Sequence, residues 1–459
     1  MSTASSAIAD FVQATDSTRI PAEVIEHGKL CLLDTIGCGL FGSTLPQSSI
    51  VADMLVAAGS RGDTAVWGRA ERLTAPDAAL VNGTSVHAFE LDDLHPRSIV
   101  HPGSVVASAA VAAASLRPRT SGLDLLVATI LGYEVSARVG STMGAAHLIA
   151  GWHPTGTHGT LGAAAAASKV LGLDVPQIAH ALGTAGSQAG GLMAAQYESM
   201  VKRFHAGRAA QSGVYSALLA ERGYAGIKDV FEAPFGGYLS TFSPHADASW
   251  LTDGLGTAWE ALNAGFKPYA TNGSCHPSID CLRELYLHEG VRAEDVDSVD
   301  FWVSTATDKH VGWPYVPDTV TTAQMNLGYI AAVVLTDGEA FVDQFTDERI
   351  RDPELVSLSA RVHVNADPEI DALGDAARHK TRLRVTMRDG RTFDAERDHG
   401  HGSSKDPMST AEVREKFRRL AGTVLDEARV DRLEHVIEEI DSADDLAGLI
   451  GLLAHDLQP

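Results

Sequence analysis

From Ala7 to about Lys202 the chain repeats apolar residues every three to four positions, and strings of Ala and Gly run through that repeat. This period puts the apolar side chains on one face of a helix, and the small residues let neighbouring helices approach closely. The first half therefore reads as a helical bundle. One helix start is marked in detail: Ser121 precedes Leu123 to Val139, Asp124 completes a capping box, and Gly140 follows as a stop.

After about Phe266 the texture changes. Strand-like runs occur at Val296 to Thr305, Ala360 to Asn365 and Thr381 to Met387. The last is joined to Arg391 to Ala395 across Arg388, Asp389 and Gly390, a hairpin signal. Helical patterns at His276 to His288 and Ala323 to Leu335 lie among these strands. Helical periodicity returns at Ser409 to Ala421 and in Leu425 to Leu453. The predicted fold is mainly α: a large helical domain formed by both chain ends, residues 1–267 and 404–459, with a smaller α+β domain over 268–403 inserted between them.

A chain of 459 residues, 45% hydrophobic and 21% charged, can bury large cores. The N-terminal MSTASSAIADFVQ has no basic region ahead of an apolar run, so a cytoplasmic location is expected. The most apolar stretches, Val105 to Leu116 and Leu161 to Leu171, fall short of the roughly 18 residues a membrane span needs. A formal net charge of -23 argues against a nucleic-acid or membrane partner, either of which calls for a basic face. Cys31, Cys38, Cys275 and Cys281 form no CxxC pair and read as reduced, buried thiols.

Three segments carry candidate chemistry. The first, VHAFELDDLHPRSIVHPG from Val86 to Gly103, packs Glu90, Asp92, Asp93, His95, Arg97 and His101 into twelve positions. Pro96 and Pro102 make it a stiff loop, a common seat for catalytic groups. The second, Gly151 to Ser168, sets His153 and His158 at the start of an Ala-rich helix whose free N–H groups suit an anion. The third, Val201 to Ala210, steps Lys202, His205 and Arg208 along one drifting helix face and leaves Arg203 as surface charge. Lys267 stands at the domain junction. The His spacings match no metal motif, so no metal is expected. An apolar scaffold bearing cations, histidines and carboxylates suits a small polycarboxylate: cations stabilise charge building up when an α-carbon loses a proton, and a tuned histidine or carboxylate moves that proton. No cofactor is required.

Five segments carry a resemblance: HAFELDDLHPRSIVHPGSVV, GWHPTGTHGTLGAAAAASKVLGL, KRFHAGRAAQSGVYSALLAERGY, FKPYATNGSCHP and KDPMSTAEVREKF. In this order, and across essentially the whole chain, they resemble the MmgE/PrpD family. The resemblance implies a helical domain with an inserted α+β lid, a homodimer, and a lyase acting on a small di- or tricarboxylate. It implies active-site roles for Asp93, His101, His153, Lys202 and Lys267, with Tyr329 from the lid. Glu90, His95, His158, His205 and Arg208 are further candidates for holding substrate. Family decarboxylases have Asp at the position of Glu90 and a Thr-Trp pair at Leu94, so a hydroxyl contact is missing here. Dehydration or hydration of the 2-methylcitrate type is therefore the favoured expectation. Decarboxylation of the cis-aconitate type, epimerisation of an amino- or imino-dicarboxylate, and non-catalytic carboxylate binding stay open. His101 is expected to transfer the proton, tuned by Asp93.

Overall fold

An Ala side chain buries little area, about 0.8 kcal/mol for one methyl-sized group, so helices faced with Ala and Gly hold together only by coming very close. The chain does this. In the computed structural model, which describes residues 3–197, 199–374 and 377–454, helix Pro154–Leu171 packs against helices Pro102–Ala114, Gly122–Ser141 and Val201–Glu221. Every residue of Pro102–Ala114 is buried. A Cβ added to Gly162 would stand 2.6 Å from the carbonyl oxygen of Gly132, and one on Gly207 would stand 2.1 Å from that of Leu80. Only hydrogen on those α-carbons permits the contact.

The protein is mainly α, with a smaller α+β part. One compact unit comprises Met1–Ala195, Met200–Phe266 and Ser409–Pro459; a second comprises Gln196–Ser199 and Lys267–Met408. The Ser121–Asp124 capping box forms, and its helix runs one residue past Gly140 to Ser141. Within this helix Arg138 is buried but fully engaged. It pairs with Glu134 at 2.5 Å and donates to the carbonyls of Trp250, Asp253 and Ala258. Glu134 in turn accepts the backbone N–H of Ala261. A buried charge is tolerated when its hydrogen bonds are met, and here the pair staples residues 250–261 to the bundle.

The second unit is built on a four-stranded sheet in the order Val362–Ala366, Val296–Val303, Thr381–Met387, Thr392–Arg397. The first pairing is parallel and the others antiparallel. Val299, Phe301 and Val303 alternate onto a buried face. Helix His276–His288 lies against the last two strands, and Ser278 Oγ is 2.8 Å from Thr381 Oγ1. Two long helical patterns are broken. Ala323 to Leu335 divides into Val320–Gln324 and Leu327–Asp337 because Asn326 caps the second piece, accepting from the N–H of Tyr329. Leu425 to Leu453 divides into Glu427–Glu438 and Ala447–Leu453. All four cysteines are buried, and among the described residues none is in a disulfide. Among the described residues, no helix is long and apolar enough to cross a membrane.

Gly207→Ala is expected to lower stability by about 1–3 kcal/mol, because the new methyl meets backbone atoms that cannot rotate away. Urea unfolding of the variant beside the wild type measures it; an unchanged midpoint would contradict the packing described.

Candidate active site

Helix Ala75–Val86 ends at a single 3-10 turn, His87–Phe89, and the chain then reverses at Glu90, a non-glycine residue in the left-handed region (φ 56, ψ 30). That conformation is costly without outside support. The support comes from helix Val201–Glu221: Glu90 Oε1 accepts from Arg203 Nη1 at 2.7 Å and from Lys202 Nζ. All three side chains are buried. Arg203, read from spacing as surface charge, is in fact one of the largest fully buried side chains. Its 100° offset from Lys202 lets both reach a carboxylate lying between them.

Beyond Glu90 the reversal brings Asp92 back to the helix end it has just left. Asp92 Oδ2 lies 2.7 Å from His87 Nδ1 and Asp92 Oδ1 lies 3.4 Å from His101 Nδ1. From there a row of imidazoles extends. The His101 and His87 rings are 4.8 Å apart, His87 and His153 are 5.5 Å apart, and His153 Nδ1 is 3.1 Å from His205 Nδ1. His101 and His153 each stand immediately before a helix that opens with proline. The backbone N–H of His101 donates to Thr155 Oγ1, tying these two helix starts together.

The dry setting decides protonation. Burial holds His87 below its usual range, opposed by the neighbouring Asp92 carboxylate. His153 is pushed well below, by burial first and then by His87, Lys202 and the other rings. His205 is brought down to about 4, by burial and then by His87 and Lys202. His87, His153 and His205 are therefore neutral near pH 7 and can each donate from one nitrogen and accept at the other.

Glu90, His101, His153, Lys202 and His205 thus come together within the first unit. The other candidates stand elsewhere. Asp93 is engaged at a helix start. Its carboxylate accepts the N–H of Gly103 at 3.0 and 3.2 Å and so caps helix Pro102–Ala114. Burial, then the nearby Asp34, raises the Asp93 carboxyl well above its usual range. The carboxylate beside His101 belongs to Asp92. His95 is spent on its own loop, bonded to Ser98 through Nδ1 and 3.3 Å from Glu260 through Nε2. Arg97 stacks on Trp250. His158 lies in a different buried group, bonded to the Tyr238 hydroxyl and packed on His147. Arg208 is exposed and donates to Gln211. Lys267 and Tyr329 belong to the second unit. There Lys267 is buried, and the Tyr329 hydroxyl donates to the Gln344 carbonyl while its ring packs, tilted, against Tyr315. His87 was not singled out from sequence, and Asp92 was named in its dense segment but given no role of its own. A histidine at a helix end followed five residues later by an acid is the signal that could have found them.

His87, Asp92 and His101 offer one ligand atom each within 4.8 Å of one another, a set able to hold a metal ion. Two atoms bound tetrahedrally at ~2.1 Å would stand about 3.4 Å apart. The 2.7 Å between His87 Nδ1 and Asp92 Oδ2 is instead a hydrogen-bond distance.

Residues 6–250 match the MmgE/PrpD N-terminal domain and residues 269–442 the MmgE/PrpD C-terminal domain. The chain is 35% identical to the cis-aconitate decarboxylase-like protein oryM of Aspergillus oryzae, over 98% of this chain and 97% of that protein. It is 32% identical to cis-aconitate decarboxylase of Aspergillus terreus, over 96% of this chain and 93% of the relative. A mitochondrial 2-methylcitrate dehydratase of Yarrowia lipolytica is 22% identical over 84% and 77%. The chain therefore belongs to the MmgE/PrpD family and is a lyase of that type. The expectation that ranked dehydration above decarboxylation does not hold against these similarities, which are greater toward proteins named as decarboxylases.

Dialysis against EDTA is expected to leave activity unchanged, since His87 Nδ1 and Asp92 Oδ2 are engaged with each other in a hydrogen bond; activity lost on dialysis and restored by one divalent ion would reverse that reading. Acid acts through the neutral histidines. His147 and His205 are both held down to about 4 chiefly by burial, whereas in the unfolded chain histidine takes a proton near ~6.5. As pH falls through that window the unfolded state binds protons that the folded state refuses, so stability is lost. Thermal melts at intervals between pH 7 and pH 4 should show a steady fall, and a flat profile would be incompatible.

Proposed function

We propose that the protein decarboxylates a short unsaturated tricarboxylate of the cis-aconitate class. The observation that carries this reading is its 35% and 32% identity, over nearly the full length of both partners, to proteins named as cis-aconitate decarboxylase-like and cis-aconitate decarboxylase. The geometry supports it by supplying what such a reaction needs.

In that reaction the bond from a methylene carbon to its carboxylate breaks and carbon dioxide leaves. The released electron pair forms a new carbon–carbon double bond. The original double bond shifts its own pair onto its far carbon, and that carbon takes a proton. One proton donor and a cationic cradle suffice. His101 is the donor, at the mouth of helix Pro102–Ala114. Asp92 orients its ring and offsets the positive charge that the ring bears while it carries the proton. Lys202 and Arg203 share one carboxylate, so the trio with Glu90 keeps one net positive charge beside the imidazole row. That charge attracts a substrate carboxylate and is worth most where water is excluded. Neutral His153 and His205 give hydrogen bonds without competing for the transferred proton. Glu90 serves this scheme as the partner that keeps two buried cations in place. Its difference from the Asp of family decarboxylases lengthens that clamp by one methylene and leaves its charge intact.

Incubation with cis-aconitate in D₂O is expected to release carbon dioxide and place one deuterium on a carbon of the product, read by mass spectrometry. Loss of water from 2-methylcitrate, with no carbon dioxide from cis-aconitate, would overturn the proposal. His101→Ala should lower kcat by about 10²–10⁴-fold while the protein still unfolds cooperatively.

A further inference from the structure

The loop that carries Asp92 is anchored from a second direction, by a residue more than three hundred positions later in the chain. Lys416, on helix Thr410–Ala421, is buried, and its Nζ donates to the backbone carbonyl of Leu91 at 2.6 Å. The same Nζ lies 2.6 Å from Asp34 Oδ1, on helix Ala22–Ser43. Lysine is rarely fully buried without a purpose for its charge. Its neighbours Val413, Phe417 and Leu420 are all core residues, so Lys416 occupies an apolar-face position in an otherwise ordinary amphipathic helix.

Leu91 is the residue between Glu90 and Asp92. The left-handed turn is thus gripped on both sides: Lys202 and Arg203 hold the Glu90 side chain, and Lys416 holds the Leu91 carbonyl. With those two points fixed, Asp92 faces the ring edges of His87 and His101 at 2.7 and 3.4 Å. Asp34 supplies the counter-charge that lets Lys416 stay protonated there: despite burial, its ammonium is held above the usual lysine range by Asp34 and, more weakly, by Cys38 and Asp92.

We propose that Lys416 is a positioning residue of the active site, which fixes Leu91 so that Asp92 aligns His101 for proton transfer. The proposal rests on His101 being the proton-transfer group. Lys416 touches no reacting atom in this scheme and acts through the backbone.

The informative variant is the double substitution Asp34→Asn with Lys416→Met. It removes both buried charges at nearly constant volume, an exchange that proteins commonly accept without loss of stability, yet it also removes the donor to Leu91. The expected result is a cooperatively folded protein whose kcat falls roughly 10- to 100-fold while KM stays within about threefold. Selective ¹³C labelling of histidine should show the His87 and His101 ring signals displaced, and those of His147 and His158 unmoved. A folded double variant with wild-type kcat, or with undisturbed His87 and His101 signals, overturns the proposal. So does a double variant that cannot fold, which would assign Lys416 to core stability alone. If the wild type releases no carbon dioxide from cis-aconitate, the decarboxylase reading fails by itself, and the histidine signals still decide the role of Lys416.

Discussion

A carboxylate set on a left-handed residue inside a dry core is unstable unless cations come to it, and the site depends on that requirement being met at Glu90. Lys202 and Arg203 meet it from neighbouring positions on one helix. The turn then persists, the chain folds back on itself, and Asp92 lies within reach of a histidine on each side. A relaxed residue 90 would let the chain leave helix Ala75–Val86 in another direction, and His101 would lose its carboxylate. The electrostatic pair and the backbone strain are two aspects of one local arrangement, and each makes the other tolerable.

The surroundings give this arrangement its chemical character. Helices faced with Ala and Gly approach until backbone meets backbone, and His87, His101 and His153 are buried among them. Burial is the first cause of the depressed proton affinity of His87, His153 and His205. The same close packing that compensates for small side chains thus supplies neutral hydrogen-bond donors beside a cationic trio. Fold and reactivity have a common source in residue size.

Much of this was legible in the residues. The three-to-four periodicity, the Ser121 capping box and the Arg388 to Gly390 hairpin are local signals, and local signals survive folding. Glu90, His101, His153, Lys202 and His205 could be gathered because they lie in short dense motifs. What could not be read was direction. Adjacent Asp92 and Asp93 are alike in a string of letters, yet one faces two histidines and the other caps a helix; only the left-handed turn before them decides which is which. Arg203 looked peripheral because a helical wheel treats a charge one step off the face as solvated, whereas a carboxylate from another segment had come to meet it. Lys416 sat in plain view on an apolar stripe, but its partners are contributed by residues 34 and 91, far from it in the chain.

The contact between Lys416 and Leu91 spans 325 positions, and this gives the molecule an order of events in time. At ~5–20 residues per second, a ribosome needs roughly 16–65 s to travel from one partner to the other. Within that interval the segments bearing His101, His153 and His205 follow His87 off the ribosome, and the helix that grips the loop of Asp92 comes last. The growing chain can gather its histidines early but completes their alignment late, after the whole of the inserted unit has been synthesised.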